Sequence, residues 1–235
     1  MSAHRVSRRT RLVIVATALL TLSGAVLWAT DVDTALTSED RASIEGLGVR
    51  AVCEGAAGFA QQLACIRAIQ AAHLAAAPEL VCVDEYGVTS HEPPAFLARR
   101  RGCCYDRSRF VEKAASFYGL EVRHLAIYHA RSSFDLVRGG TPSHSLSEVL
   151  TDRGWMVVDS NTTALGLRTD GTPLDAAELS AALRAGGSGL ESTSYREFFG
   201  GDYVSLYGVY SRHGGFYPPY VRLPDIDWAQ VDENF

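Results

Sequence analysis

Two adjacent cysteines at the predicted start of a helix constrain this chain more than any other feature. Gly102 precedes Cys103 and Cys104, and an apolar run with helical spacing follows them and stops at Gly119. Glycine is favoured just after a helix because it tolerates positive φ. The pattern therefore predicts a helix whose N-terminus carries both thiols. Unpaired backbone N–H groups at that end stabilise a thiolate, so each cysteine is a candidate nucleophile or half of a structural disulfide.

The first thirty residues have the pattern of an export segment. Four arginines precede an uncharged apolar run over residues 12–29, and the first acidic residue is Asp31. A basic flank before an apolar run is typical of export, and this run is at the lower limit for a membrane-spanning helix. Residues 1–30 are therefore predicted to be a signal anchor, with a cleaved signal peptide as the alternative because Ser23-Gly24-Ala25 resembles a cleavage site. Either way the rest of the chain is expected in the periplasm or at the cell surface.

The rest of the chain is predicted to be one acidic domain. Residues 31–50 are polar and are expected to be a linker, and residues 51–235 are long enough for a single core. Without the four early arginines, 18 basic residues remain against 27 acidic ones, a net charge of −9. Binding to nucleic acid relies on clustered basic residues. A nucleic-acid partner is therefore not expected.

The predicted domain contains all five cysteines, which are Cys53, Cys65, Cys82, Cys103 and Cys104. An oxidising compartment permits disulfides, and an odd number leaves one thiol unpaired. We predict two bridges and one reactive cysteine, with three connectivities open for any four. A disulfide between the two adjacent cysteines is strained and disfavoured. A zinc site is also disfavoured, because the spacings match no ligand template, and neither a metal nor a cofactor is predicted.

Hydrophobic periodicity predicts helices first and an antiparallel sheet afterwards. A turn at residues 152–154 makes the last two strands antiparallel neighbours. This order indicates an α+β fold, with N-terminal helices packed on an antiparallel sheet. The helices are predicted over residues 55–77, 93–100, 104–118 and 176–185, and the strands over residues 120–129, 144–150 and 154–159.

The C-terminal fifty residues are rich in aromatic side chains. Within them, the Tyr/Pro/Trp-rich end over residues 216–228 is predicted to be a tail packed over the core, with recognition of a glycan or an extended peptide as the alternative. His213 precedes this end in a predicted loop and is a candidate for a substrate contact. His73, on the first long helix, is expected to be a packed or surface histidine.

A base and an orienting acid for a cysteine nucleophile are both present downstream. His144 begins one predicted strand and Asp159 ends the next, so pairing through the turn makes them close to cross-strand partners. A cysteine nucleophile needs a base within hydrogen-bond reach and a third group that orients the base. Cys104, His144 and Asp159 are therefore the candidate catalytic residues. The alternatives are that Cys103 and Cys104 are both structural, that His144 is a histidine packed in its strand, and that Asp159 caps a turn.

At these residues the sequence resembles the transglutaminase-like superfamily. The likeness covers roughly residues 90–165, and it implies a papain-like core. The matching motifs occur in the family's order: Gly102-x-Cys104-x-Asp106-x-Ser108, His144-Ser-Leu-Ser-Glu148-Val149, Gly154-Trp155-x-x-x-Asp159, and between the first two a Gly119-Leu-Glu-Val-Arg123 segment.

The resemblance implies a role for each candidate residue. Cys104 is the nucleophile, His144 the general base and acid, and Asp159 the group that orients His144. Two positions depart from the family pattern, with Leu146 in place of the usual tryptophan and Ser108 in place of the common alanine. The assignment leaves Cys103 as a candidate bridge partner for Cys53, Cys65 or Cys82.

The function that the resemblance implies is an exported cysteine-dependent hydrolase or acyltransferase. Its substrate is expected to be an amide or peptide bond in an extracytoplasmic protein, peptide or envelope polymer. Hydrolysis is favoured over cross-linking, because water needs no second binding site. The alternative is a catalytically inactive domain of the same fold that binds protein or polysaccharide in the cell envelope, held at the membrane through the N-terminal segment.

Overall fold

Helices precede the main sheet along the chain, as the periodicity predicts. The computed structural model describes residues 8–82, 90–131, 135, 142–210 and 225–235. The helices of this part are α1 (Arg8–Thr30), α2 (Ser38–Glu45), α3 (Arg50–Cys53), α4 (Phe59–Ala76), α5 (Pro93–Arg99), α6 (Cys104–Phe117), α7 (Ala176–Arg184), α8 (Arg196–Phe199) and α9 (Trp228–Val231), with a 3-10 turn at Asp232–Asn234.

In the described part of the chain, the main sheet has four antiparallel strands. The strands are β1 (Glu79–Leu80), β2 (Arg101–Gly102), β3 (Val122–Tyr128), β4 (Ser143–Thr151), β5 (Gly154–Val158), β6 (Val204–Tyr207), β7 (Val209–Tyr210) and β8 (Asp225–Ile226). The order in the main sheet is β5-β4-β3-β6, whereas β1 pairs with β2 in parallel and β7 pairs with β8 antiparallel. The predicted α+β class is therefore confirmed.

Helices cover both faces of this sheet. Val149 of β4 belongs to a core cluster with Phe110 of α6 and Ile66 of α4. Leu146 of the same strand belongs to a second cluster with Leu179 of α7. Residues at odd and even positions of a strand point to opposite faces. The sheet therefore lies between α4 and α6 on one side and α7 and α8 on the other.

Residues 31–50 are part of the folded domain, and the prediction of an irregular linker there is wrong. Helix α2 begins with a capping box at Thr37, and its Ile44 is 0% exposed in the core. Lys113 of α6 donates to the buried carboxylate of Asp40 at 2.8 Å. The polar composition was misleading, because some of the few apolar side chains of this segment, Ile44 and Val49 among them, are buried in the core.

Helix α1 covers the predicted export segment. For residues 8–16 of this helix the description extends to the backbone only. Among the residues described in full, no helix is long and apolar enough to cross a membrane. The end of the helix contacts the domain, since the indole N–H of Trp228 donates to the hydroxyl of Thr30 at 3.2 Å. The choice between signal anchor and signal peptide stays a prediction.

The aromatic C-terminal region contributes to the core. Tyr195 and Phe199 are fully buried in the cluster on the α7 side of the sheet, and β6 extends the sheet next to β3. His213 and residues 216–224 lie outside the described residues. The predicted tail over residues 216–228 lies mostly outside the described residues, so its packing over the core stays a prediction.

The burial of α2 gives a direct test of where the domain begins. Ile44→Ala is expected to lower the free energy of unfolding by about 2–5 kcal/mol, the usual cost of truncating a buried isoleucine. Val52 is nearby and 46% exposed, so Val52→Ala is expected to change it by less than about 0.5 kcal/mol. Denaturant titration of both variants measures this. Equal and negligible effects would mean that residues 31–50 are a linker after all.

Candidate active site

The backbone at the start of α6 is held by close packing and by a helix cap. A Cβ added to Gly102 would lie 2.9 Å from the ring of Phe96 and from the Cβ of Asp106, so only glycine fits there. The carboxylate of Asp106 accepts the N–H of Cys103 at 2.9 Å, which caps the helix. Cys104 is therefore the first residue of α6, as predicted, with its thiol at the positive end of the helix.

The five cysteines divide as the sequence predicts. Disulfides join Cys53 to Cys65 and Cys82 to Cys103, and Cys104 is free. Within the described ranges, no group of three or more His, Cys, Asp or Glu side chains is placed to hold a metal ion. Two disulfides are compatible with an oxidising, extracytoplasmic compartment.

The β4–β5 hairpin brings His144 and Asp159 together with a register that differs from the prediction. Thr151 pairs with Gly154, so the turn has two residues instead of three. Continued along the strands, this register sets Asp159 opposite Leu146 rather than opposite His144. The two side chains still meet diagonally, with Nε2 of His144 and Oδ1 of Asp159 3.1 Å apart. Diagonal neighbours remain within the reach of long side chains.

The sulfur of Cys104 lies against the other side of the same imidazole. The side chain of His144 and the backbone and hydroxyl of Ser145 interact with this sulfur, and each of these interactions lowers the pKa of the thiol. Because Nε2 of His144 faces Asp159, Nδ1 is the nitrogen left for the sulfur. Cys104 keeps 8% of its surface exposed. The structure thus brings all three predicted residues into one series of contacts, thiol to imidazole to carboxylate.

Electrostatics favour a thiolate–imidazolium pair. Burial raises the pKa of the Cys104 thiol, but the hydrogen bond and charge of His144 and the donors of Ser145 outweigh it, so that pKa is lowered. Burial lowers the pKa of His144, whereas its hydrogen bonds to Asp159 and Cys104 raise it to about 9. At neutral pH the imidazole is therefore expected to be positive, and the shift of the thiol pKa favours a negative sulfur beside it.

Donors that the sequence did not single out hold Asp159. Burial raises the pKa of this carboxyl, but His144 and two local donors lower it overall. The N–H of Asn161 and the hydroxyl of Thr162 each donate to it at 2.9 Å. The amide of Gln70 donates to the backbone oxygen of Asp159, also at 2.9 Å. The polar residues after Asp159 were a signal of such a turn, whereas Gln70 on a distant helix gave none.

An aromatic ring covers the imidazole of His144. The ring of Phe198 stacks on it with centroids 4.2 Å apart and planes 18° from parallel. His129 meets the same phenyl ring edge-on at 6.1 Å. Stacking of this kind limits the rotation of the imidazole and keeps water from one of its faces. Phe198 lies 54 residues after His144 in the sequence, with no motif to connect them.

Comparisons with known proteins supply no relative from which roles can be transferred. Family models, curated proteins and solved structures gave no match to this chain. The chemistry of the site is therefore argued from its own geometry. A thiol at a helix N-terminus, next to an imidazole that a carboxylate orients, is the arrangement that nucleophilic catalysis by cysteine requires.

The pairing of Cys104 with His144 predicts a thiol that still reacts at a low pH, where the thiol of free cysteine is protonated and unreactive. Alkylation by iodoacetamide at about pH 6 is expected to be at least tenfold faster than for a free cysteine, whose pKa is about 8.5. His144→Ala is expected to remove this advantage, because the positive partner of the sulfur is lost. The rate against pH measures both effects.

His129→Ala is the matched control for that experiment. His129 touches the same Phe198 ring as His144, but the contacts that lower the pKa of the Cys104 thiol come from His144 and Ser145. Its removal is expected to leave the alkylation profile unchanged. A wild-type profile identical to that of free cysteine would contradict the ion pair.

Proposed function

We propose that this protein is a transglutaminase-like cysteine hydrolase that cleaves amide or peptide bonds outside the cytoplasm. The observation that carries the proposal is that Cys104, at the start of a buried helix, interacts with an imidazole that is hydrogen-bonded to a carboxylate, His144 with Asp159. The two disulfides support the compartment. They are the kind of bond that persists in secreted and periplasmic proteins.

Residues of the family-like motifs outside the triad also interact with each other, which supports the resemblance. Glu148 is fully buried and pairs with Arg123 at 2.6 Å. The guanidinium of Arg123 lies 4.1 Å from the ring centroid of Trp155, and Glu148 accepts the N–H of Ala176 at 2.7 Å. These contacts brace the β4–β5 hairpin and attach α7 to it. The motifs thus hold the strands that carry His144 and Asp159.

The reaction proceeds as acyl transfer through the sulfur. The Cys104 thiolate attacks the carbonyl carbon, and the N–H of Cys104 stabilises the negative oxygen that forms. The imidazolium of His144 donates its proton to the leaving nitrogen, and the C–N bond breaks to leave a thioester. The neutral imidazole then takes a proton from water, whose oxygen attacks the thioester. Collapse of this second intermediate releases the carboxylic acid and restores the thiolate beside the imidazolium.

An activated ester tests for the acyl-enzyme without knowledge of the natural substrate. Mixing the protein with excess p-nitrophenyl acetate is expected to give a stoichiometric burst of nitrophenolate, because acylation of Cys104 precedes slow hydrolysis. Peptide mapping by mass spectrometry is expected to find the acetyl group on Cys104. Cys104→Ala is expected to abolish both signals.

Ser108→Ala is the matched control on the same helix. It restores the residue that is common at this position in the family, and the hydroxyl that it removes donates to the backbone oxygen of Tyr105, so the burst is expected to persist. An amine such as glycinamide, added after the burst, separates the two reaction types. Faster turnover with amide formation would identify a transferase, and no burst in the wild-type protein would favour a non-catalytic binding domain.

A further inference from the structure

A buried glutamine of α4 binds the loop that follows β5. This loop, residues 159–164, is closed by the N–H of Asp159, which donates to the backbone oxygen of Ala164 at 3.1 Å. The side-chain amide of Gln70 lies within hydrogen-bond distance of three backbone oxygens of the loop, those of Asp159 at 2.9 Å, Ala164 at 3.1 Å and Thr162 at 3.3 Å. Gln70 is 0% exposed. Buried amides need such acceptors, so Gln70 and the loop hold each other in place.

His73 lies one turn further along α4 and contacts the next residue of the loop. Its Nε2 is 3.1 Å from the backbone oxygen of Ser160, and its Nδ1 is 3.0 Å from that of Ile69. Burial lowers the pKa of His73, so the ring is neutral at neutral pH and has one N–H. The oxygen of Ile69 already accepts the helical N–H of His73 itself, so we assign the ring proton to Nε2, where it is donated to Ser160. The ring stacks on Phe110 with centroids 5.8 Å apart, which fixes its plane.

The loop that α4 holds is connected to both members of the imidazole–carboxylate pair. The carboxylate of Asp159 meets Nε2 of His144 at 3.1 Å. The hydroxyl of Ser160 donates at 2.7 Å to the backbone oxygen of Ser145, which follows His144 in β4. Misplacement of a reacting group by about 1 Å can lower a rate about 100-fold. A contact that fixes this loop therefore matters for more than stability.

A second glutamine of α4 binds the other end of the same hairpin. The side-chain amide of Gln62 donates to the carboxylate of Asp152 at 2.9 Å, and its oxygen accepts the N–H of Asp152 at 2.8 Å. Gln62 and Gln70 are eight residues apart, about 12 Å along a helix. The helix thus holds the β4–β5 hairpin at its turn through Gln62, and at the end that carries Asp159 through Gln70 and His73.

We propose that Gln70 and His73 are positioning residues, which hold the loop after β5 so that the carboxylate of Asp159 stays in hydrogen-bond contact with His144. The proposal rests on the proposed function, because it assigns both side chains to the orientation of the triad. Their hydrogen bonds go to backbone oxygens, so they determine where Asp159 lies and leave its charge unchanged. If the loop moves, His144 loses the contact that keeps its imidazole positive, and Cys104 loses a positive partner. The expected signature is therefore a change in the pH dependence of the thiol, in addition to any loss of stability.

Replacing each donor by a side chain of similar shape tests this. In Gln70→Met, the rate of Cys104 alkylation by iodoacetamide at about pH 6, relative to its own rate at about pH 9, is expected to fall about threefold, the factor that corresponds to half a pKa unit. His73→Phe keeps a ring that can stack, removes the donor to Ser160 and is expected to lower the same ratio. His73→Gln keeps a donor within reach of that oxygen and is expected to restore most of it.

Gln62→Met is the matched control. It makes the same substitution on the same helix, but the contacts that it removes are those to Asp152 at the turn of the hairpin. It is expected to lower the free energy of unfolding and to leave the ratio of alkylation rates at the wild-type value. Denaturant titration of both Met variants provides the comparison of stability.

The outcomes separate this proposal from the proposed function. A wild-type thiol with the profile of free cysteine would overturn both. A reactive wild-type thiol whose ratio is unchanged in Gln70→Met or in His73→Phe would overturn the positioning role of that residue alone. An equal fall in Gln62→Met would also overturn it, because the effect would then follow from lost stability. If Gln70→Met does not fold, Gln70→Asn, with an amide too short to reach the loop, takes its place with the same expectation.

Discussion

The hydrogen bond between His144 and Asp159 is the interaction on which the site depends. It fixes which nitrogen of the imidazole faces the sulfur, and it contributes to the raised pKa that makes His144 a cation at neutral pH. Without a positive imidazole, burial would keep the Cys104 thiol protonated and unreactive. The hairpin, its polar turn after Asp159 and the covering Phe198 ring all serve to hold this one contact in place.

The sulfur in turn depends on how α6 begins. Gly102 leaves room for nothing larger, Asp106 caps the helix, and the bridge from Cys103 to Cys82 attaches the helix start to the preceding segment. A cap and a helix dipole each contribute on the order of 1 kcal/mol. The cap holds the backbone of the helix start, and the dipole favours negative charge on the sulfur there. In the proposed reaction both would help Cys104 to act as the nucleophile.

Local patterns in the sequence predicted the start of α6, the β4–β5 hairpin and the division of the cysteines, because each follows from neighbouring residues. Long-range contacts were not predictable. Gln70 and Phe198 reach the site from distant segments, and the partner of Cys103 could not be chosen from spacing. The register error at Asp159 arose because a two-residue and a three-residue turn look alike in sequence. The polar segment containing Ile44 was taken for a linker, because composition does not show which of a few scattered apolar side chains are buried.

The protonation state of His144 is the most direct test of this account. Nitrogen-15 NMR of the imidazole, assigned with a His144→Gln variant, reports whether both ring nitrogens carry protons. The account predicts a doubly protonated ring at neutral pH that loses one proton at about pH 9. A ring that is already neutral at pH 7 and titrates at about 6.5, like a free histidine, would contradict the thiolate–imidazolium pair and with it the proposed enzyme.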